Sequence, residues 1–151
     1  MDELKNDENI IDDQYLTFII NGDEYGLEIS YVMGIIKMVP ITKVPQTPDY
    51  IEGLINLRGE LIGVIDVRKR FNMPTREYDD LTCIIYISYS DYILGMIVDD
   101  VLDTVTIAEE HICPPPSVKL SYANQFIRNI GQLADGKIKL LIDLERFLAQ
   151  D

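Results

Sequence analysis

The sequence predicts an all-β protein built from two similar small β-barrels, and three observations support this fold class. Most of the chain divides into short segments that are rich in β-branched and aromatic residues and bounded by Gly, Pro, Asn or Asp. An Asn-Gly pair separates two of these segments, which is the strongest short-range signal for a hairpin. The chain also contains an internal repeat, and a repeat indicates a duplicated structural unit.

The strands are expected to begin near Tyr15, after an acidic tail. The first fourteen residues, "MDELKNDENIIDDQ", hold six acids and one lysine without sustained periodicity, so residues 1–14 are predicted to be disordered. The pair Asn21-Gly22 then joins "YLTFII" to "EYGLEI" as a tight hairpin. Further strands are predicted for "VMGIIKMV", "GLINL", "ELIGVIDV", "LTCIIYIS", "YILGMIV", "DTVTI" and "KIKLLIDL".

The repeat consists of two pairs of matching segments. "YLTFIINGDEYGLEISYV" matches "TCIIYISYSDYILGMIVDDV", which aligns Gly26 with Gly95. "LINLRGELIGVIDVRKRF" matches "GQLADGKIKLLIDLERFL", which aligns Gly59 with Gly136. We therefore predict one domain overall, with a first barrel repeat at 15–71, a joint at 72–81 and a second repeat at 82–151, and we leave open an exchange of strands between the barrels.

Composition excludes several classes of function. The 26 acidic and 13 basic residues give a net charge of −13, which repels nucleic acid and anionic membranes. No apolar run approaches the length of a bilayer-spanning helix, so we expect a cytoplasmic protein without direct membrane insertion. The two cysteines lack ligand-like spacing with the single histidine, His111, and no glycine-rich phosphate loop is present. We expect neither a metal nor a cofactor.

Two equivalent aspartates, Asp66 and Asp143, are the only candidates for catalysis. A carboxylate from each half of a duplicated β fold can form a hydrolytic pair that shares one proton. However, an aspartic-protease site has a small hydroxyl residue and a glycine after each aspartate, whereas here "VR" and "LE" follow. Both aspartates precede short amphipathic segments, "VRKRF" and "LERFL", so the favoured interpretation is that each caps a helix N-terminus.

The segment "GLINLRGELIGVIDVRKRF" resembles the CheW family, the coupling proteins of bacterial chemotaxis arrays, which share G-x-x-N-x-R-G followed by an apolar strand and I-D-L. "YGLEISYV" and "GMIVDDVLDTVTI" fit further family positions. The resemblance implies two interlocked five-stranded barrels like those of Src-homology-3 domains, with short helices. It also implies a non-enzymatic adaptor, recruited to membrane-associated receptor arrays, that binds the helical hairpin tip of chemoreceptors and the regulatory domain of the histidine kinase CheA.

The resemblance further implies two sets of contact residues. The expected receptor contacts are Val32, Ile35, Asn56, Arg58, Val98 and Leu102. The expected kinase contacts are Ile41, Val44, Gly53, Ile112 and Leu120. For Val32, Ile35 and Val98 the alternative is a place in the core, because most branched apolar residues are buried.

Two glycines depart from the family pattern, and an arginine stands at an unusual turn position. Gly34 replaces the glutamate that usually precedes the isoleucine of V-x-E-I, and Gly63 replaces a proline. The change at Gly34 keeps a second function open, a scaffold that binds a kinase regulatory domain but no chemoreceptor. Arg58 stands where a two-residue hairpin favours φ > 0, although its counterpart is the ordinary turn residue Asp135. The alternative is a wider turn in which Arg58 has φ < 0 and projects into solvent.

Overall fold

The structure is a computed structural model that describes residues 13–115 and 125–149. The strands are β1 Gln14–Ile20, β2 Asp23–Glu28, β3 Val32–Lys37, β4 Ile51–Leu57, β5 Glu60–Asp66, β6 Cys83–Tyr89, β7 Tyr92–Val98, β8 Asp100–Thr106, β9 Ile112–Cys113, β10 Ile127–Gln132 and β11 Ile138–Ile142. Short helices follow two of them, α1 Val67–Arg70 and α2 Leu144–Leu148. Single 3-10 turns cover Ile29–Tyr31 and Glu109–His111.

The strands form two sheets, which confirms the all-β prediction. Sheet 1 has the order β8-β1-β2-β11-β10-β9, and sheet 2 has the order β3-β6-β7-β5-β4. Sheet 1 therefore has one strand more than expected, the two-residue β9. Of the predicted acidic tail, residues 1–12 lie outside the described part of the chain, while Gln14 already belongs to β1.

Each sheet is built from strands of both sequence repeats. Sheet 1 combines the hairpin β1–β2 with strands β8 to β11, and sheet 2 combines the hairpin β6–β7 with β3, β4 and β5. Each hairpin joins the strands of the other repeat through one parallel pair, β2 with β11 or β7 with β5, and one antiparallel pair, β1 with β8 or β6 with β3. Neither predicted segment, 15–71 or 82–151, thus builds a sheet by itself, and the two barrels are interlocked.

The largest core cluster contains side chains of both sheets. Its buried residues from the strands include Leu16, Phe18, Ile20, Tyr25, Leu27, Ile65, Ile85, Ile87, Met96, Val98 and Ile142. Two smaller clusters belong to single sheets, one around Tyr15, Ile107 and Leu141 and the other around Ile55, Ile62, Val64, Ile84 and Ile97. Because most of the buried apolar residues in these clusters belong to the one shared by both sheets, their burial stabilises the two barrels together.

Both predicted helix caps are confirmed. The Asp66 side chain accepts a hydrogen bond from the Lys69 N–H at the start of α1, at 3.3 Å. The Asp143 side chain accepts one from the Arg146 N–H at the start of α2, at 3.2 Å. Each carboxylate thus satisfies a backbone donor that the first helical turn leaves free.

Candidate functional site: an open strand edge and an arginine turn

The turn between β4 and β5 holds Arg58 in the left-handed region. Leu57 pairs with Glu60, and the two central residues have φ values of 54° at Arg58 and 87° at Gly59. Positive φ at both positions is the geometry of a type I′ hairpin turn. The prediction of φ > 0 at Arg58 is confirmed, and the alternative of a wider turn with φ < 0 is wrong.

The Asn56 side chain stabilises this turn. Its Oδ1 atom accepts a hydrogen bond of 2.9 Å from the Gly59 N–H. A residue other than glycine in the left-handed region costs on the order of 1 kcal/mol, so a local hydrogen bond of this kind offsets part of the strain. Both Asn56 and Arg58 are exposed. Within residues 13–115 and 125–149, Arg58 forms no ion pair, including with its neighbour Glu60.

Strand β3 is an edge strand of sheet 2 and carries exposed apolar side chains. Met33 and Ile35 are 51% and 46% exposed, whereas Val32 is half-buried and packs against the largest core cluster. Alternation along a strand explains the difference, since successive side chains point to opposite faces and a bulge lies between Val32 and Gly34. The predicted contact Ile35 therefore lies on an open apolar edge next to Met33, which the sequence prediction omitted.

The side chain of Tyr86 occupies the space beside Gly34. The two residues are paired across β3 and β6. A Cβ atom added to Gly34 would lie 2.5 Å from Tyr86 Oη and 2.6 Å from Cε1 and Cζ. No side chain fits at position 34 while the ring stays where it is. The departure at Gly34 is thus explained by a neighbour on the adjacent strand.

The two predicted receptor contacts of the second repeat lie in different environments. Val98, at the end of β7, is 1% exposed and belongs to the largest core cluster. Val98 therefore has the core environment that was the alternative to a receptor contact. A side chain so deeply buried cannot contact a partner while the strand keeps its place. Leu102 is half-buried on β8, the edge strand of sheet 1. The edges that carry Ile35 and Leu102 thus belong to different sheets.

The predicted kinase contacts are spread over both sheets. Ile41 and Val44 are half-buried in the segment between β3 and β4, and Ile41 packs against the core of sheet 2. Ile112 is half-buried on β9 and packs against the core of sheet 1. Leu120 lies outside the described residues.

Gly53 has a structural reason to be glycine. Its φ is 148°, and a Cβ atom there would lie 2.1 Å from the Thr42 carbonyl oxygen. That close approach permits Thr42 and Leu54 to exchange two backbone hydrogen bonds, of 2.9 and 2.8 Å. Gly53 therefore attaches the segment after β3 to the edge strand β4.

The second departure, Gly63, lines a cleft of about 480 Å³. A Cβ atom at this position would meet no atom within 4 Å, so the glycine is not enforced by packing. Near the same end of sheet 2, Leu61 and Tyr92 are 70% and 72% exposed. The sequence prediction did not name Leu61 or Tyr92, although each lies beside a hairpin turn of sheet 2, where side chains are expected to be exposed.

Each of the two aspartates is engaged in its own helix cap. The second oxygen of Asp66 accepts a hydrogen bond of 2.8 Å from the Tyr78 hydroxyl. Burial, the bond to Asp66 and the charges of Asp66 and Glu52 raise the pKa of Tyr78, so the phenol stays a donor. Among the described side chains, no group of three or more His, Cys, Asp or Glu residues could hold a metal ion. No helix in the same part of the chain is long and apolar enough to cross a membrane.

Comparisons with known proteins agree with this architecture. The chemotaxis protein CheW of Bacillus subtilis is 42% identical over 114 residues, which cover 76% of this chain and 70% of that protein. The chemotaxis protein CheW of Klebsiella aerogenes is 30% identical over 138 residues, which cover 91% of this chain and 82% of that protein.

A solved structure shares the fold across nearly the whole chain. The scaffolding protein TtCheW from Thermoanaerobacter tengcongensis superposes with a TM-score of 0.84 at 36% identity, covering 92% of this chain and 94% of that one. Residues 14–151 match the family described as CheW-like domains. The chain therefore belongs to the CheW-like domain family.

Proposed function

We propose that this chain is a non-enzymatic adaptor that couples the cytoplasmic tips of chemoreceptors to the histidine kinase CheA in chemotaxis signalling. The single observation that carries the proposal is family membership over residues 14–151, together with similarity to proteins that are named chemotaxis or scaffolding proteins. The engagement of the two equivalent aspartates, Asp66 and Asp143, in helix caps supports a binding role over a hydrolytic one. In this role the protein is cytoplasmic and is recruited to receptor arrays at the membrane.

The receptor side of the proposal rests on the β3 edge and the arginine turn. Receptor tips are helical hairpins, and an amphipathic helix buries its apolar face against an exposed apolar surface of its partner. Ile35 and Met33 supply exposed apolar surface, and Val32 and Leu102 add half-buried branched side chains. The exposed Arg58 adds a cation that is free to pair with a carboxylate of the partner.

The kinase side is assigned to the segment between β3 and β4 and to β9. Ile41, Val44 and Ile112 each keep part of their apolar surface exposed, and Gly53 holds the first two in place through its backbone contact. The kinase regulatory domain is a second barrel of the same type by the family resemblance. Contacts between barrel ends are thus the proposed mode of assembly.

The deciding experiment measures binding of the purified protein to a receptor tip fragment and, separately, to the kinase regulatory domain. We expect binding to both and no hydrolytic turnover of a peptide substrate. Arg58→Ala should weaken receptor binding by about tenfold, the value of one charge-assisted contact, and leave kinase binding within twofold. Asp135→Ala, the equivalent turn position of the second repeat, is the matched control and should change neither.

The same experiment tests the second candidate function, a scaffold that binds the kinase regulatory domain but not chemoreceptors. The observation that favours it is the altered β3 edge, where Gly34 and the Tyr86 ring replace a polar side chain. Kinase binding without receptor binding would support this second function. Failure to bind either partner would contradict both.

A further inference from the structure

An apolar cleft of about 480 Å³ opens where the hairpin-turn end of sheet 2 meets helix α2. Leu94 of β7 and Leu148 of α2 line it, and so does Tyr92, which is 72% exposed. Leu61 is 70% exposed and stands two residues before the lining residue Gly63, so both positions lie on the same face of β5. Large apolar side chains that stay exposed around a cleft are a mark of a binding surface.

Gly63 is the residue that leaves this cleft open. It pairs with Leu94 across the parallel strands β5 and β7 and faces the same side as Ile65, which belongs to the largest core cluster. A Cβ atom at position 63 would meet no atom within 4 Å, so a side chain there would project into the cleft. The family pattern has a proline at this position. The departure at Gly63 thus adds room on the apolar surface.

A second cleft, of about 200 Å³, adjoins the first and is acidic. The two clefts share Tyr89 and Glu145 as lining residues. Three carboxylates line the second cleft, those of Glu28, Asp143 and Glu145, together with one cation, Arg128. Glu145 is also the one charged residue among the described residues that line the apolar cleft. The two clefts therefore form one continuous surface with an apolar half and an acidic half.

A pair of tyrosine rings marks the boundary between the halves. The ring centres of Tyr31 and Tyr89 lie 5.5 Å apart, both residues line the acidic cleft, and Tyr89 also lines the apolar one. Aromatic rings contact apolar groups and attract cations, and nearby carboxylates strengthen the preference for a cation. A symmetric contact with a second copy would instead bring the same carboxylates together, in a chain whose net charge is −13. Charge complementarity thus favours a cationic partner over a second copy.

We propose that the two clefts form a docking surface for a segment of a partner protein in which large apolar side chains are followed by arginine or lysine. The apolar side chains enter the cleft beside Gly63, and the cation lies in the acidic cleft next to Glu145. None of the described residues that line the clefts is among the expected receptor or kinase contacts. The inference therefore goes beyond the proposed function and assigns the protein a further interaction surface.

The test is an NMR titration of the full chain with three short peptides that have blocked ends. Leu-Leu-Arg-Arg carries both features, Ser-Ser-Arg-Arg lacks the apolar one, and Leu-Leu-Glu-Glu reverses the charge. We expect Leu-Leu-Arg-Arg to bind about tenfold more tightly than either control peptide and to shift the backbone amide signals of Leu94 and Glu145. If Leu-Leu-Arg-Arg binds no more tightly than the controls, the inference is overturned.

Two variants locate the binding and one serves as their control. Gly63→Val fills the apolar cleft and should weaken binding of Leu-Leu-Arg-Arg about tenfold without lowering the thermal midpoint, because valine suits a strand and meets no neighbour. Glu145→Gln should weaken it about fivefold and reduce its salt dependence. Glu110→Gln removes an exposed carboxylate outside both clefts and should change neither.

Two results would contradict the location of the site. Equal effects of Glu110→Gln and Glu145→Gln would mean that the peptide responds only to the overall charge of the protein. Self-association of the unaltered protein that Gly63→Val abolishes would assign the cleft to a second copy of this chain instead.

Discussion

Two equivalent corners of the molecule, one at α1 and one at α2, begin with the same helix cap and are then stabilised in different ways. At α1 the cap residue Asp66 is buried and also accepts a hydrogen bond from Tyr78 in the joint between the repeats. At α2 the cap residue Asp143 is half-buried and caps the helix alone among the described contacts. Both corners thus have a carboxylate that caps the helix, while the other side-chain partners of that carboxylate differ.

The second residue of each helix shows the same divergence, here in charge. Arg68 of α1 donates to both carboxylate oxygens of Asp99, at 2.8 and 2.7 Å, and Asp99 also accepts from the Asn21 N–H. Burial alone would raise the pKa of the Asp99 carboxyl, but these hydrogen bonds and the Arg68 charge lower it below its usual value. The residue aligned with Arg68 is Glu145, which is exposed. Among the described residues, the α1 corner therefore has a largely buried ion pair and the aligned position at α2 has none.

Arg70 links the two corners directly. It is 2% exposed and donates to the carbonyl oxygens of Phe147 and Ala149 at the C-terminal end of α2, both within 2.8 Å. Its guanidinium carbon also lies 4.4 and 4.7 Å from the ring centres of Tyr50 and Phe126. This buried cation thus interacts with helix-end carbonyls and aromatic faces. The aligned position in α2 is Phe147, an ordinary core residue.

The largest predicted effect tests this link between the corners. Arg70→Met should lower the free energy of unfolding by about 3–4 kcal/mol, because it removes the donors to the buried Phe147 carbonyl and the partly buried Ala149 carbonyl and takes away a buried cation from between two aromatic rings. Urea denaturation measures the loss. Met preserves most of the apolar volume, so a loss below about 1 kcal/mol would mean that the link is packing alone.

The second prediction tests the ion pair that only the α1 corner has. Asp99→Asn should cost about 2–3 kcal/mol near neutral pH, because Arg68 is left partly buried without its charge partner. Because the pKa of Asp99 is lowered in the folded protein, its contribution is present above about pH 4 and is lost as pH falls through the folded pKa. The difference between the two proteins should therefore shrink in acid denaturation curves.

The matched control for that pair is Glu145→Gln, at the aligned position. It is exposed, so we expect a change below about 0.5 kcal/mol at any pH in the same range. If the destabilisation by Glu145→Gln depended on pH as strongly as that by Asp99→Asn, the contrast between the two corners would be contradicted.

The third prediction compares the two caps. Asp66→Ala should cost about 2 kcal/mol, from the lost cap and the lost bond to Tyr78, whereas Asp143→Ala should cost about 1 kcal/mol, from the cap alone. Thermal or urea denaturation of the two variants measures the difference. Equal losses would indicate that the Tyr78 bond contributes nothing.

The smallest predicted effect concerns the two equivalent turns. The β4–β5 turn has two residues with Arg58 at φ 54°, whereas the β10–β11 loop closes with Leu133 bonded to Lys137, and only Gly136 there has positive φ. Because Asn adopts the left-handed region more easily, Arg58→Asn should raise the free energy of unfolding by about 0.5 kcal/mol. Asp135→Asn should leave it unchanged. Destabilisation by Arg58→Asn would mean that Arg58 has a structural role.

Much of the fold follows from local signals in the sequence. Asn21-Gly22 and Arg58-Gly59 form the predicted hairpin turns, and Asp66 and Asp143 form the predicted caps, because turn geometry and capping depend on a few adjacent residues. The exchange of hairpins between the sheets was left open. It depends on pairings between strands far apart in the chain, β1 with β8, β2 with β11, β3 with β6 and β5 with β7, and no local pattern encodes such pairings.

The candidate site was predicted less completely than the fold. Val98 and Ile35 are similar branched residues in strands, yet one is in the core and the other lies on an open edge. Their exposure depends on which strand borders the sheet, and that order is a property of the whole sheet. The contact between Tyr86 and Gly34 was not predicted, because it joins strands from different repeats.

The amino-acid sequence by itself determined the all-β class, the duplicated plan, the hairpin turns, the helix caps and the family, because each depends on short segments or on their repetition. Only the tertiary structure decided which hairpin joins which sheet, that Arg70 binds the end of the opposite helix, and that the Tyr86 ring fills the space at Gly34. The physical reason is that these features depend on packing between segments far apart in the chain, where shape and position in the sheet select the partner.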